Sequence, residues 1–414
     1  MTLQAQLGPA TAVADDPSAS HAGRWHVLAI LSALMGFASI STDFYLPAMP
    51  AMAAELGADE GSVAYTISGF LIGFSLGQLL WGAVSDKYGR RLPVAIGLVL
   101  FVIGSIGCAI SLSVEAIILW RVLQAFGACA GVVLSRAMVR DLYQGPRAAQ
   151  MLSTLIAVMA IAPLLGPILG SQIAAVAGWR AIFWALVILG LLALAGLFTL
   201  PETLPAERRR TDPLTGAFRR YADLLKQRKI LGHACAGAFF YSGIYAYIAG
   251  TPSAFITHHR VPAEYYGLLF GAGIIGIVIT NLINARLVHR FGIGRILSAG
   301  TLVAMIAGIA VAVSAYADLG GLWGLFAPLL IFVSATGFIV ANSIAGAMAD
   351  EPGQAGSVSA LVGAIQYGSG IAGSGLVGLF ADGTPWPMGW VIALMGIGSA
   401  ACARVVTSTG PGPR

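Results

Sequence analysis

Runs of about 20 mainly apolar residues, long enough for a helix to cross a bilayer, recur twelve times along the 414-residue sequence. They lie near 26–48, 62–83, 93–112, 114–138, 151–175, 179–199, 230–254, 263–285, 295–315, 321–345, 356–380 and 387–405. In lipid each backbone N–H and C=O must be satisfied inside its own segment, so runs of this length fold as helices. The expected class is an all-α membrane protein with twelve transmembrane helices. A soluble fold fails on charge, because only 10% of the residues are Asp, Glu, Lys or Arg against about 25% in soluble domains. Disorder fails on the 57% of hydrophobic residues, since disordered chains are poor in them. The 53 glycines suit helices that approach backbone to backbone. Cys108, Cys129, Cys235 and Cys402 all fall inside apolar runs, so no disulfide framework is expected.

One long polar interval, 200–229, carries Arg208, Arg209, Arg210, Arg219, Arg220, Lys226, Arg228 and Lys229. It divides the chain into an N-terminal tail (1–25), a six-helix bundle (26–199), a basic linker (200–229), a second six-helix bundle (230–405) and a C-terminal tail (406–414). The tail at the start lacks a basic segment leading into a short apolar core, so no signal peptide is expected. With both termini cytoplasmic, 20 of the 23 basic residues collect on one side, as the positive-inside rule requires. The opposite side holds Arg180 and Arg260 among Glu55, Asp59, Glu60, Glu115, Glu264, Asp318 and Asp382. The net charge of +5 is thus a topology signal and calls for no nucleic-acid partner.

The halves echo each other. Gly82 to Arg91 (GAVSDKYGRR) follows the second run, and at an offset of 203 residues Ala285 to Gly294 (ARLVHRFGIG) follows the eighth. Both are basic turns with an aromatic-Gly pair, and the second copy has lost the acid. Parallel repeats of this kind are one transporter architecture, with the binding site between the halves near the midplane.

Two familiar patterns carry no chemistry here. Gly73-Phe-Ser-Leu-Gly77 matches a nucleophile elbow and Gly271-Ala-Gly-Ile-Ile-Gly276 a dinucleotide fingerprint, but both need a strand-to-helix turn and both sit inside membrane runs. Gly69, Gly73 and Gly77 form a stripe suited to close helix packing. No phosphate-binding Lys motif exists. The six histidines form no H-E-x-x-H pair and no Cys/His cluster, so no metal is expected, and no catalytic pair supports an enzyme.

A charged side chain at the bilayer centre costs at least ~2.5–3.5 kcal/mol and usually faces a cavity in which it serves function. Two lie well inside runs, Asp43 in the first and Arg121 in the fourth. Asp43 shares a helical stripe with Ser32, Gly36 and Ser39. At ~1.5 Å per residue both charges lie on the order of 10 Å inside the outer ends of their helices, so an acid and a base stand at matched depth, placed to neutralise each other, while the sequence leaves open whether they pair. Burial and a nearby Arg act on an Asp in opposite senses, which makes this a proton-coupling site. The plainer reading has Asp43 capping the outer end of its helix before Pro47 and Pro50. In the seventh run Tyr241 and Tyr245 share a face and offer large apolar area with a polar tip. Asn281, Asn284, Asn342 and Gln366 either face inward or join helices.

On these residues the chain resembles the major facilitator superfamily, and within it the Bcr/CflA-type multidrug-efflux branch, from about Trp25 to Arg404. Gly82-x-x-x-Asp86-Lys87-x-Gly89-Arg90-Arg91 matches the superfamily's loop 2–3 signature, and Arg121-x-x-Gln124-x-x-Gly127 is similar to its fourth-helix motif. Ala162 to Ser171, with Gly166, Pro167 and Gly170, is similar to the fifth-helix antiporter motif, departing from it at Ala162 and Ser171. Ser41 to Pro50 (STDFYLPAMP) looks most like the drug exporters and contains Asp43 and Tyr45.

The resemblance implies two pseudo-symmetric six-helix bundles that alternate access, a bacterial inner-membrane location, and no cofactor beyond the proton gradient. It implies drug:proton antiport of amphipathic, neutral or singly charged compounds, by a monomer in contact with lipid. Asp43 and Arg121 couple to protons, while Asp43, Tyr45, Gln124, Tyr241, Tyr245, Asn281 and Gln366 are the candidate substrate contacts. The loop 2–3 motif locks the cytoplasmic side, with Asp86 at the start of the eleventh helix and Arg90 on Asp141. Gly166 and Pro167 bend the fifth helix. The alternatives are a symporter or metabolite exporter of the same fold, and a receptor or scaffold that does not transport.

Overall fold

The computed structural model describes residues 21–143, 145–209, 215–349, 351 and 354–408. The outer parts of both expected tails, and Arg210, lie outside the described residues. Among them, the first bundle contains α1 (His21–Asp43), α2 (Glu60–Tyr88), α3 (Arg91–Ile110), α4 (Val114–Leu142), α5 (Gly145–Ala177) and α6 (Trp179–Phe198). The second contains α7 (Arg228–Thr251), α8 (Ala263–Phe291), α9 (Ile293–Ala317), α10 (Gly321–Met348), α11 (Ala355–Leu379) and α12 (Trp386–Ser408).

Ten of these spans are long and apolar enough to cross a membrane, α1 being counted with its continuation to Leu56. The other two are α5, apolar over Ile161–Ala177, and α7, whose hydropathy His233, Tyr241, Tyr245 and Tyr247 lower. Helices α10, α11 and α12 pack around α7, so it has little need of a lipid-facing apolar stripe. The start of α1 and the end of α12 lie at one end of the bundles, called here the termini end; the other is the far end.

The internal repeat is a backbone repeat. Helices α2 and α8 are each 29 residues long and begin 203 residues apart. Each is closed by a glycine with positive φ, Gly89 at 91° and Gly292 at 78°. Each of those glycines donates its N–H to the carbonyl four residues back, Ser85 and Val288. A side chain at such torsions is strained, so both copies keep glycine. The sequence reading ended the second span at 83; the helix continues through Asp86 and Lys87 to Tyr88.

Two spans are broken. Helix α1 ends at Asp43, and the chain turns through Leu46–Ala48 into a short helix, Met49–Leu56. Pro47 and Pro50 dictate this, because proline lacks an N–H and clashes with the preceding turn. The expected continuous first span, 26–48, is corrected accordingly. Helix α10 breaks at Ala335, where the Thr280 hydroxyl of α8 donates to the Ser334 carbonyl at 2.6 Å, supplying a partner where the bilayer has none.

The interval 200–229 is more than a polar linker. It contains an amphipathic helix, Thr215–Leu225, that buries Ala217, Tyr221 and Leu224 at helical spacing and leaves Arg219 and Asp223 outside. Tyr221 and Leu224 pack with Ile230 and Ala234 of α7, Ala347 of α10, and Val358, Leu361 and Val362 of α11.

The bundles meet along α2–α11 and α5–α8. At the far end both seams are shut. A methyl group on Gly61 would lie 2.4 Å from the Gly378 carbonyl, and one on Gly267 2.7 Å from the Ile168 side chain. Ser68 and Ser374 share a hydrogen bond of 2.7 Å across the first seam. At the termini end a cavity of about 220 Å³ separates Gly82 and Asp86 of α2 from Gly356, Ser357 and Ala360 of α11.

Candidate substrate and proton site

The break in α1 creates the centre of the site. A helix that stops inside the membrane leaves its last carbonyls without partners. Arg121 of α4 supplies one, donating Nη1 to the Ser41 carbonyl at 2.8 Å. Asp43, the last residue of α1, is 5% exposed, and its Oδ1 accepts from the Thr42 hydroxyl at 3.0 Å. Helix α5 lies directly against it. A Cβ on Gly166 would stand 3.0 Å from the Asp43 Cβ, and one on Gly170 only 1.8 Å from the Phe44 carbonyl oxygen. The small residues around Pro163 and Pro167 therefore let α5 cover the broken end of α1.

Arg121 is fully buried. Its Nη1 also donates to Gln124 Oε1 at 2.7 Å, and Gln124 Nε2 donates to Ser105 Oγ at 2.7 Å. The guanidinium lies between the rings of Tyr45 and Phe70, 4.5 and 4.4 Å from their centroids. Its Nε and Nη2 have no hydrogen-bond partner. Matched depth left open whether Arg121 pairs with Asp43, and no ion pair within 4.0 Å joins the two among the described residues. Cation–π contacts offset part of the cost of burying the cation. The acid beside it then decides the charge of the pocket. With Asp43 ionised the two charges balance, and with Asp43 protonated the pocket holds the charge of Arg121 alone.

Tyr45 and Gln124, expected as substrate contacts, are held within the first bundle. Both are fully buried, and the Tyr45 hydroxyl bonds Thr66 Oγ1 at 3.0 Å. Their place is to cradle Arg121. The second bundle presents tyrosines, with Tyr245, Tyr247 and Tyr266 inside electrostatic reach of the Asp43 carboxyl. Tyr241 and Tyr245 do lie together, with ring centroids 6.1 Å apart, and Tyr367 of α11 joins them at 5.4 and 6.3 Å. Tyr367 in turn meets Phe74 of α2 at 4.4 Å, so an aromatic cluster bridges the bundles. Sequence reasoning missed Tyr367 and Phe74; Phe74 sat within a stretch read only for its glycines. Gln366 is buried and donates to Ser343 Oγ of α10 at 3.1 Å, and Asn342 donates to Asn284 Oδ1 at 2.7 Å. These amides join helices. Asn281 is exposed on α8.

The loop 2–3 residues form one ionic knot at the termini end. Arg90 donates to Asp86 Oδ1 at 2.7 Å, to Asp141 Oδ2 at 2.8 Å and to Ser85 Oγ at 2.7 Å. Asp86 shares its cavity with Gln354, Gly356 and Ser357 at the start of α11, where the helix N-terminus favours negative charge. Gly82 has open space beside it and lines this cavity. Lys87 lies over the Tyr88 ring, and Arg91 over the Phe198 ring while donating to the Phe198 carbonyl at 2.8 Å.

Glu202, which the sequence reading left inside the linker, completes the knot. It accepts from the backbone N–H of Arg90 at 2.8 Å, Arg91 at 3.1 Å and Leu204 at 3.0 Å. A Cβ on Gly89 would meet its Oε2 at 2.6 Å, a second reason for glycine there. Burial works to raise the Glu202 pKa, but these three N–H groups and the charge of Arg209 outweigh it and the net shift is downward. A carboxylate so lowered stabilises the fold fully above its ordinary value of 4.5 and loses that contribution as pH falls through the lower folded value. Glu202→Gln is therefore expected to melt lower than the wild type at pH 7, with the gap closing below pH 4.5, as read by thermal unfolding in detergent across pH. A gap that persists unchanged in acid contradicts this account.

Residues 28–374 match the Major Facilitator Superfamily. The uncharacterized MFS-type transporter YdgK of Bacillus subtilis (strain 168) is 34% identical over 379 residues, covering 90% of this chain and 93% of its own length. The bicyclomycin resistance protein homolog of Haemophilus influenzae is 30% identical over 362 residues, 87% of this chain and 90% of that protein. Among solved structures, a D-xylose-proton symporter superposes with a TM-score of 0.73 at 18% identity, over 95% of this chain and 98% of that one. That last likeness is one of fold.

Proposed function

From the premise that the chain belongs to the major facilitator superfamily, in its Bcr/CflA-type drug-efflux branch, we propose that it exports amphipathic drugs in exchange for protons. One observation carries the proton half of this reading: a buried carboxyl, Asp43, stands beside a buried, incompletely bonded cation, Arg121, at a helix break covered by α5. Taking up or releasing one proton there changes the net charge of a water-poor pocket by one unit, and such a change biases how the bundles pack. The aromatic cluster of Tyr241, Tyr245, Tyr367 and Phe74 supports the drug half, because it offers planar apolar surface with hydroxyl tips between the bundles. Relatives named for bicyclomycin and multidrug resistance support the same substrate class.

The cycle runs as follows. A proton reaches Asp43 from outside when the far end opens; the bundles rock; drug binds at the tyrosines as the proton leaves inward. The knot of Arg90 with Asp86 and Asp141 closes the termini end when Asp86 meets the start of α11. Basic residues concentrated at the termini end support a cytoplasmic location for both termini in the bacterial inner membrane, and a monomer suffices because the site lies wholly within one chain.

Expression in an efflux-deficient bacterial host tests the reading. The expected result is reduced susceptibility to several amphipathic antibiotics and low accumulation of a fluorescent drug, both abolished by a protonophore. Unchanged susceptibility and accumulation across the panel reject drug export.

A further inference from the structure

At the far end of the second bundle, outside the spans, three side chains distant in sequence converge. His258 ends a π-helical turn, Pro252–His258, that follows α7, and His259 comes next. Asp318 closes α9. One nitrogen from each imidazole and one carboxylate oxygen all lie within 4.8 Å of one another, and the two rings stand at 88° with centroids 4.8 Å apart. Both stretches are fixed by residues in left-handed torsions, Arg260 at φ 54° and Asp318 at φ 46°. No Lys or Arg holds Asp318 in an ion pair among the described residues.

We propose that His258, His259 and Asp318 bind a divalent transition-metal ion of the zinc class. Two imidazoles and a carboxylate suit Zn²⁺ and its neighbours, whereas Ca²⁺ and Mg²⁺ require oxygen ligands. Tetrahedral bonds of about 2.0–2.2 Å bring ligand atoms closer together than they stand here, and rotation of these side chains, none of them fully buried, closes the gap. Water takes the remaining position. The neighbouring Thr257 donates to Glu60 Oε1 of α2 at 2.6 Å, across the seam between bundles. An ion at this site ties the turn after α7 to the end of α9 and so stiffens the segment that holds the far end shut. The site stands independently of the transport reading.

Calorimetric titration of Zn²⁺ into the tag-free, full-length protein in detergent tests it. The expected result is saturable binding of one ion per chain, not displaced by excess Mg²⁺, with a rise in melting temperature. His258→Ala, His259→Ala and Asp318→Ala should each weaken binding at least tenfold and remove that rise, while a His26→Ala/His289→Ala protein keeps both. Absence of one-to-one binding, or equal affinity in the three variants, overturns the proposal. Should a variant fail to fold, chemical labelling of His258 and His259 in the unaltered protein decides. Protection by Zn²⁺ supports the site, and unchanged labelling overturns it.

Discussion

Asp43→Asn is expected to abolish proton-driven export while leaving a folded protein that still binds drug. The substitution is nearly isosteric and keeps an oxygen for the Thr42 hydroxyl, so packing against Gly166 is preserved. Among the described residues it removes the buried carboxyl beside Arg121, and with it the change of pocket charge on which the proposed coupling depends. An amide leaves Arg121 in its uncompensated state throughout the cycle. In reconstituted vesicles, export driven by a pH gradient should fall to that of vesicles without protein, and drug addition to purified protein should release no protons. Binding of a fluorescent drug should persist, because the aromatic cluster is untouched. Full export by Asp43→Asn removes Asp43 from the coupling step.

The second large effect is steric. Gly170→Leu places a side chain where even a methyl carbon would stand 1.8 Å from the Phe44 carbonyl oxygen. That oxygen belongs to backbone at the break in α1, so no rotamer change relieves the clash and α5 must move away. Overpacking costs about 1–3 kcal/mol where a core can adjust, and adjustment here means displacing the helix that covers Asp43. Loss of export together with a lower melting temperature is expected. Gly178→Leu is the control. Its glycine, unlike Gly170, has a positive φ of 77°, and it has open space around it, so the variant loses stability through the torsion without uncovering Asp43 and should keep measurable export. Equal export by the two variants contradicts the packing argument.

The spans were legible because lipid imposes one requirement, about 20 apolar residues per crossing, and that requirement is one-dimensional. Asp43 and Arg121 were legible for the same reason, since a charge in such a run stands out against its neighbours. The pairing of Arg90 with Asp141 followed from the loop 2–3 motif. What lay hidden depended on three-dimensional choice among equals. Helical rise placed Asp43 and Arg121 at one depth but not their side-chain bonds, and Arg121 chose the Ser41 carbonyl that the proline-induced break had left open. Glu202 looked like one more charge in a polar stretch until the turn at Gly89 aimed three N–H groups at it. The helix Thr215–Leu225 was masked by its arginines, its buried residues being only Ala217, Tyr221 and Leu224. His258, His259 and Asp318 show no metal spacing, because two loops 59 residues apart bring them together.

The matched glycines that close α2 and α8 show what the two halves hold in common and what they do not. Position 89 and its counterpart 292 have the same torsional class, whereas Asp86 is matched by His289. The two corners therefore share one backbone shape, and among the described residues the ion pairs of Arg90 with Asp86 and Asp141 belong to the first corner, so equal turns carry unequal electrostatics.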